Sequence, residues 1–327
     1  MLTPLSSPSH GAEKCLFTPA RRQVLHLAVP ALLLWGALGC GPVDETETSD
    51  PDGFSQHSDQ QQADNGLSLN GLSLNGLSLN GLSLNGLSLN GLSTATFKTW
   101  FQENRTLNST VMRYLVHCAL PFGQSLSFTE AGTGQRYTWS GGLGVAPDWA
   151  SGRAATVTEQ QVVSACLAAH VNKYGLHVPL SVLGRTAKGH LIPVTLEELT
   201  IFSRREACFF GNLFTGEGVH VGNDRGSLSS RQSSARVCTL SSSTDEERVT
   251  GCAPLTYVGA CTSHCTLDPT RTFYTSCRYN GVTYRPLTTR LREVDIYSCG
   301  DGTCQMTESC GNSNKADSCK ADCGTCP

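Results

Sequence analysis

The apolar positions of the chain fall into a few periodic stretches set between polar ones. From Ser109 to Ala119, the residues Val111, Tyr114, Leu115, Cys118 and Ala119 recur at helical spacing, one stripe of a helix that Pro121 ends. A shorter helix is expected before it, over Phe97–Glu103, carrying Trp100 and Phe101. The longest unbroken stripe is Val163, Cys166, Leu167, His170, Val171 and Tyr174. It predicts a core-facing helix over Thr158–Tyr174, with a capping box of Thr158 and Gln161 and a left-handed stop at Gly175. Thr195 to Glu198, after Pro193, opens a further helix expected to end before Gly211, with Glu197, Glu198 and Glu206 as solvated charges.

Other stretches carry β-formers. Ser125–Glu130 and Gln135–Ser140, joined by Ala-Gly-Thr-Gly, predict a hairpin bearing Phe128, Tyr137 and Trp139. Residues 177–183 predict a buried strand, and residues 252–298 turn β-like. Within them, Phe273–Tyr279 and Val282–Tyr284 flank Asn280-Gly281, the clearest hairpin in the chain. Thr215–Glu247, rich in Gly, Ser and Asp, reads as a long loop pinned by Cys238. Together these elements predict an α+β fold: one disulfide-braced domain with a small cysteine-rich C-terminal module, preceded by a disordered stalk.

Upstream, periodicity gives way to repetition. Asn-Gly-Leu-Ser recurs six times at period five, starting at Asn65, Asn70, Asn75, Asn80, Asn85 and Asn90. Leucines so spaced drift around a helix and form no face. Three readings follow: a flexible stalk, a short β-coil docked on the domain, or a self-associating adhesive strand. Gly41–Asp64 has seven acidic residues and no Lys or Arg, so it offers too little apolar surface to offset its ordering entropy. Val24–Leu38 is an apolar run preceded by Arg21 and Arg22, short for a spanning helix and suited to a secretory signal. The predicted organisation is a signal at 1–39, an acidic linker at 40–64, repeats at 65–93, the α+β domain at 94–298 and the cysteine-rich module at 299–327.

Composition narrows the function classes. A net charge of -3 gives no general attraction to phosphate backbones, so nucleic acid is not an expected partner. Of 16 cysteines, Cys15 leaves with the signal and Cys40 stands at its end. The rest divide evenly. Cys118, Cys166, Cys208, Cys238, Cys252, Cys261, Cys265 and Cys277 form one set; Cys299, Cys304, Cys310, Cys319, Cys323 and Cys326 form the other. Even parity in an exported chain predicts bridges rather than reactive thiols, and Cys118 is the natural partner of Cys166.

Candidate chemistry is sparse. Cys166 and His170, one turn apart, have the spacing of a nucleophile and base, but the expected bridge at Cys166 removes the thiol. His117, His170 and Asp148 would make a hydrolase only if the fold gathered them in one cleft. Trp139, Asp148 and Trp149, around the loop Gly141-Gly142-Leu143-Gly144, could form a stacking platform for a sugar or peptide; the alternative is a turn that covers the core with Trp. Cys261-Thr-Ser-His-Cys265 falls short of a zinc shell by itself. Asp301, Glu308, Asp317 and Asp322 offer hard oxygen atoms for calcium; otherwise they are turn chemistry. No His-Glu-x-x-His, phosphate-binding or dinucleotide-binding motif occurs.

Two stretches carry resemblances. Ala-Leu-Gly-Cys40 resembles the lipobox of bacterial lipoproteins, which implies that Cys40 is lipidated and anchors the chain to a membrane. The tail motifs Cys299-Gly-Asp-Gly-Thr-Cys304 and Asp322-Cys-Gly-Thr-Cys326 resemble small modules ending many surface lipoproteins of myxobacteria and related bacteria, a group in which tracts like the Asn-Gly-Leu-Ser repeat also occur. The resemblance implies a location in the cell envelope. It carries no activity. The expected function is a lipid-anchored module that binds an unknown surface ligand, with an extracytoplasmic hydrolase and a self-associating adhesive protein as the alternatives.

Overall fold

A computed structural model describes residues 62–64, 86–171, 178–229, 232, 255–305, 308–312 and 318–327, all in the compact unit Phe54–Pro327. The described residues begin with a short strand, β1 (Gln62–Asp64), followed by the helices α1 (Leu89–Leu92), α2 (Ala95–Glu103) and α3 (Arg105–Ala119). Side-chain caps set their starts. Thr94 accepts from the Phe97 N–H at α2, and Asn104 accepts from the Leu107 N–H at α3. The expected stripe of α3 is buried throughout.

The first hairpin forms as read, β2 (Ser125–Thr129) against β3 (Arg136–Ser140). Its rings meet those of α2: Phe97 and Phe128 lie 5.1 Å apart, and Phe101 and Tyr137 4.8 Å apart. Next come α4 (Pro147–Ala150) and α5 (Val157–Ala169). The cap of α5 sits two residues before the expected one: Thr156 and Glu159 make the capping box, not Thr158 and Gln161. The reason is charge. One Glu159 oxygen accepts from the Thr156 N–H and the other from the N–H groups of Asp148 and Trp149, so a single buried carboxylate caps both α5 and α4. The helix ends at Ala169, and Tyr174 and Gly175 lie outside the described residues.

The centre of the fold is a six-stranded sheet. Its strands are β1, β4 (Pro179–Gly184), β5 (Arg204–Asn212), β6 (Gly218–Asn223), β7 (Leu255–Ala260) and β11 (Leu287–Leu291), ordered β1-β4-β11-β5-β6-β7. Every neighbouring pair is antiparallel except β6 and β7. One face packs on α5, with Ala207, Phe209, Val219 and Val221 in that core. The other is covered by a small sheet of β8 (Cys265–Leu267), β9 (Tyr274–Tyr279) and β10 (Val282–Tyr284), through Cys208, Phe210, Tyr274, Cys277 and Tyr284. Asn280 and Gly281, both at positive φ, make the turn expected between β9 and β10. A short helix, α6 (Leu196–Ile201), precedes β5, and α7 (Lys320–Cys323) lies near the C-terminus. Among the described residues no helix is long and apolar enough to cross a membrane.

Four expectations need correction. The helix opening at Thr195 stops at Ile201, and the residues assigned to its second half form the central strand β5. A strand buried on both faces loses its alternation, so Ala207-Cys-Phe-Phe210 imitates one side of a helix. Glu198 and Glu206 are therefore buried rather than solvated; Ser181 Oγ donates to Glu198 (2.5 Å) and Thr289 Oγ1 to Glu206 (2.7 Å). The expected loop at 215–247 contains β6, whose Val219 and Val221 face the core between flanking glycines; Cys238 lies outside the described residues. The acidic linker contributes β1, which pairs antiparallel with β4. Finally, ordered packing begins before Thr94: Leu87 and Leu92 of the last repeats are 1% exposed and belong to the main core.

Among the described residues six disulfides join Cys118 to Cys166, Cys208 to Cys261, Cys265 to Cys277, Cys299 to Cys319, Cys304 to Cys323 and Cys310 to Cys326. Each pair stays inside one of the two sets read from the sequence. Cys238 and Cys252 lie outside the described residues. A framework of this density belongs to an oxidising, extracytoplasmic environment.

Candidate functional site

Strand register assembles a group of rings that sequence order alone does not. Phe210 of β5 pairs with His220 of β6, which puts both on one face, and the Asn280-Gly281 turn folds Tyr279 and Tyr284 onto them. The His220 ring lies 4.5 Å from Tyr279, 5.3 Å from Phe210 and 5.9 Å from Tyr284. His264, from the turn before β8, stands 5.3 Å from Tyr279 and is held by a 2.9 Å hydrogen bond from Nε2 to the Val258 carbonyl. Tyr284 donates its hydroxyl to exposed Glu217 at 3.0 Å.

The electrostatics of this group follow from its burial. His220 is 6% exposed, and its Nδ1 is sealed with no hydrogen-bond partner among the described residues. Desolvation lowers its pKa; Glu217 opposes the shift and His264 adds to it. The imidazole is thus held neutral. Burial, with the bond to Glu217, pushes Tyr284 up to about 12. The outer part of the group, Tyr279, His264 and Glu217, reaches solvent. Partly exposed rings and an exposed carboxylate bonded to Tyr284 are groups that can stack on and hydrogen-bond to a ligand.

A second polar group on this side of the sheet is committed to structure. Arg205 donates to Asp224 at 2.6 Å, and Asp224 also accepts from the Gly226 N–H. Arg290 donates to the carbonyls of Phe202 (2.7 Å), Ser203 (2.6 Å) and Thr272 (3.4 Å). These bonds tie the end of α6 and the turn before β9 to the sheet.

The residues singled out from sequence fall as follows. His117 and His170 do meet, with rings 5.4 Å apart, but inside the helical layer, where His170 Nδ1 lies 2.8 Å from the Cys166 carbonyl. Burial holds His117 down at about 4. Asp148 does not join them; its charge is taken by Lys188, at 3.0 Å, and by Arg153, which together hold its pKa below the ordinary carboxylate value. Cys166 is bridged to Cys118, so no thiol faces His170. The stacking platform is corrected as well. Trp149 is wholly buried against Phe214, and Trp139 is buried with its Nε1 donating to Ser109, so both indoles fill core volume. Cys261 and Cys265 are bridged to Cys208 and Cys277, which leaves His264 without thiolate neighbours in its motif.

In the tail, Asp322 accepts from the N–H groups of Gly300 (2.5 Å), Asp301 (3.2 Å) and Gly302 (3.0 Å). Asp301 accepts from the Thr303 N–H and the Gln305 amide. Burial pushes Glu308 up to about 7, against the N–H groups of Gln305 and Ser298 and with the repulsion of Asp322 and Asp301. These carboxylates bind turn N–H groups, the alternative to calcium stated above, and Asp317 lies outside the described residues.

The sequence does not single out His220 and Glu217, because the Gly, Ser and Asp content of residues 215–247 hides β6. The usable signal was Val219-His-Val221, an alternation that places a histidine opposite two core valines. No family model, curated protein or solved structure matches the chain.

Proposed function

We propose that this chain is an extracytoplasmic lipoprotein whose domain binds a surface or cell-envelope ligand. Cys40 carries the anchor, and residues 41–61 link it to β1 at the edge of the sheet. The observation that carries the location is the pairing of every described cysteine, twelve in six bridges, which a reducing compartment would not preserve. The binding surface is the rim formed by Glu217, His264 and Tyr279 over the buried His220.

Intact-mass measurement of the native protein tests the anchor. A mature chain beginning at a lipid-modified Cys40, and loss of membrane association in Cys40→Ser, are expected; a different N-terminus or unchanged partitioning refutes it. Retention on isolated cell-envelope material tests the surface. Tyr279→Ala, which trims a partly exposed ring, should release the purified domain, whereas retention equal to that of the unsubstituted protein removes this rim as the binding face.

A further inference from the structure

We propose that the seat filled by residues 86–92 is a receptor for the repeat unit, for which identical upstream copies in the same chain compete. The seated segment reads Gly-Leu-Ser-Leu-Asn-Gly-Leu, and the same seven residues begin at Gly66, Gly71, Gly76 and Gly81. The seat recognises features that every copy has. Gly86 takes a left-handed φ of 75° and lies so close to the Gly152 backbone that a side chain would collide with it. The Leu87 N–H donates to the Trp149 carbonyl at 3.1 Å, and the Leu92 N–H donates to the Ser88 carbonyl at 3.0 Å. Leu87 and Leu92 are each 1% exposed and join the core that contains Phe97 and Trp149. A glycine, a leucine directly after it and a second leucine five residues further on satisfy all of this.

What distinguishes the last copy is only its continuation. Thr94 Oγ1 donates to the Gly91 carbonyl at 3.0 Å and caps α2, so this copy runs into the domain without slack. Seating the copy before it leaves five residues as an added loop, and closure entropy rises slowly with loop length. The native register is favoured, and the others remain within reach. Because β1 is paired with β4 ahead of the first copy, exchange moves residues from the segment before the seat to the segment after it, in steps of one repeat.

Leu92→Ser damages the last copy and leaves residues 81–87 intact. Its loss of thermal midpoint is compared in the full chain and in a chain whose Leu67, Leu72, Leu77 and Leu82 are also serine. The loss should be clearly larger in the second background, where no intact copy can substitute. Equal losses overturn the proposal, and so does a rescue that grows with protein concentration, because the unit then comes from a second molecule. Should Leu92→Ser fail to fold in both, hydrogen exchange on the chain with Leu92 intact decides. Removing the four upstream leucines should slow exchange at the Leu87 and Leu92 amides by roughly twofold or more, since competing copies no longer expose them. Unchanged exchange overturns the proposal.

Discussion

His117 couples the stability of the helical layer to pH with a sign and size that can be worked out. Its Nε2 is sealed from solvent, and burial lowers its pKa from 6.5 to about 4. Between these values the unfolded chain binds the proton and the native chain does not, so stability is fully present above pH 6.5 and is lost as pH falls toward 4. Over the whole window the linkage amounts to about 3 kcal/mol, of which about 2 kcal/mol has gone by about pH 5. Urea unfolding at about pH 7.5 and about pH 5 measures the difference, with the bridges intact in both states. Carboxylates elsewhere titrate over the same range, so the informative quantity is the change in pH dependence on His117→Asn, in which those contributions cancel. The variant is less stable at neutral pH, and it should lose about 2 kcal/mol less than the parent on acidification. Equal pH dependence in the two proteins would refute the claim that His117 is neutral in the native core.

Glu308 has the opposite sign: raised from 4.5 to about 7, it favours the native state while protonated, so stability declines as pH rises through that window, and Glu308→Gln should flatten the decline in a thermal-midpoint series. Glu159→Ala leaves the starts of α4 and α5 without their shared acceptor and should cost about 3 kcal/mol in urea unfolding, whereas a loss below about 1 kcal/mol would mean that water or a neighbour replaces the carboxylate. Replacing Cys118 and Cys166 together by Ala opens a loop of 48 residues, for which chain entropy gives about 4 kcal/mol; an unchanged unfolding midpoint would show that this bridge adds nothing to the packing of α3 on α5.

Elements that answer to local rules were legible. The stripe of α3, the hairpin of β2 and β3, and the Asn280-Gly281 turn rest on spacing and turn chemistry within a few residues, and all stand where the pattern puts them. The bridge from Cys118 to Cys166 was legible too, because each stripe carried one cysteine. What failed was whatever the middle of the sheet overrides. β5 is covered by α5 on one side and by the small sheet on the other, so its sequence shows neither strand alternation nor a polar face, and the capping signal at Thr195 extended a helix through it. The rim around His220 was illegible for a related reason. Its members come from β5, β6, the turn after β7 and the hairpin of β9 and β10, and only the register between Phe210 and His220 brings them together.

The two sets of bridges do different physical work. Cys118–Cys166 and Cys208–Cys261 join elements that also bury large side chains, since Tyr114, Phe209 and Phe210 are fully covered beside them. There the covalent bond adds to a core able to form by burial. Beyond Cys299 no aromatic or aliphatic side chain of the described residues enters either core, and what fixes the backbone is three bridges together with the carboxylate of Asp322 holding the Gly300 to Gly302 turn. Desolvation opposes that carboxylate, yet its three N–H donors hold its pKa below the ordinary value, so the charge is part of the turn rather than a decoration on it. A chain segment organised this way has little stability left once its sulfurs are reduced, whereas the domain before it retains its apolar layers. The Cys-Gly-Asp-Gly-Thr-Cys pattern, met in the sequence as a resemblance, thus has a physical reason of its own: glycines let the turn close around an acid supplied from the other end of the module, and the flanking cysteines keep both ends in place.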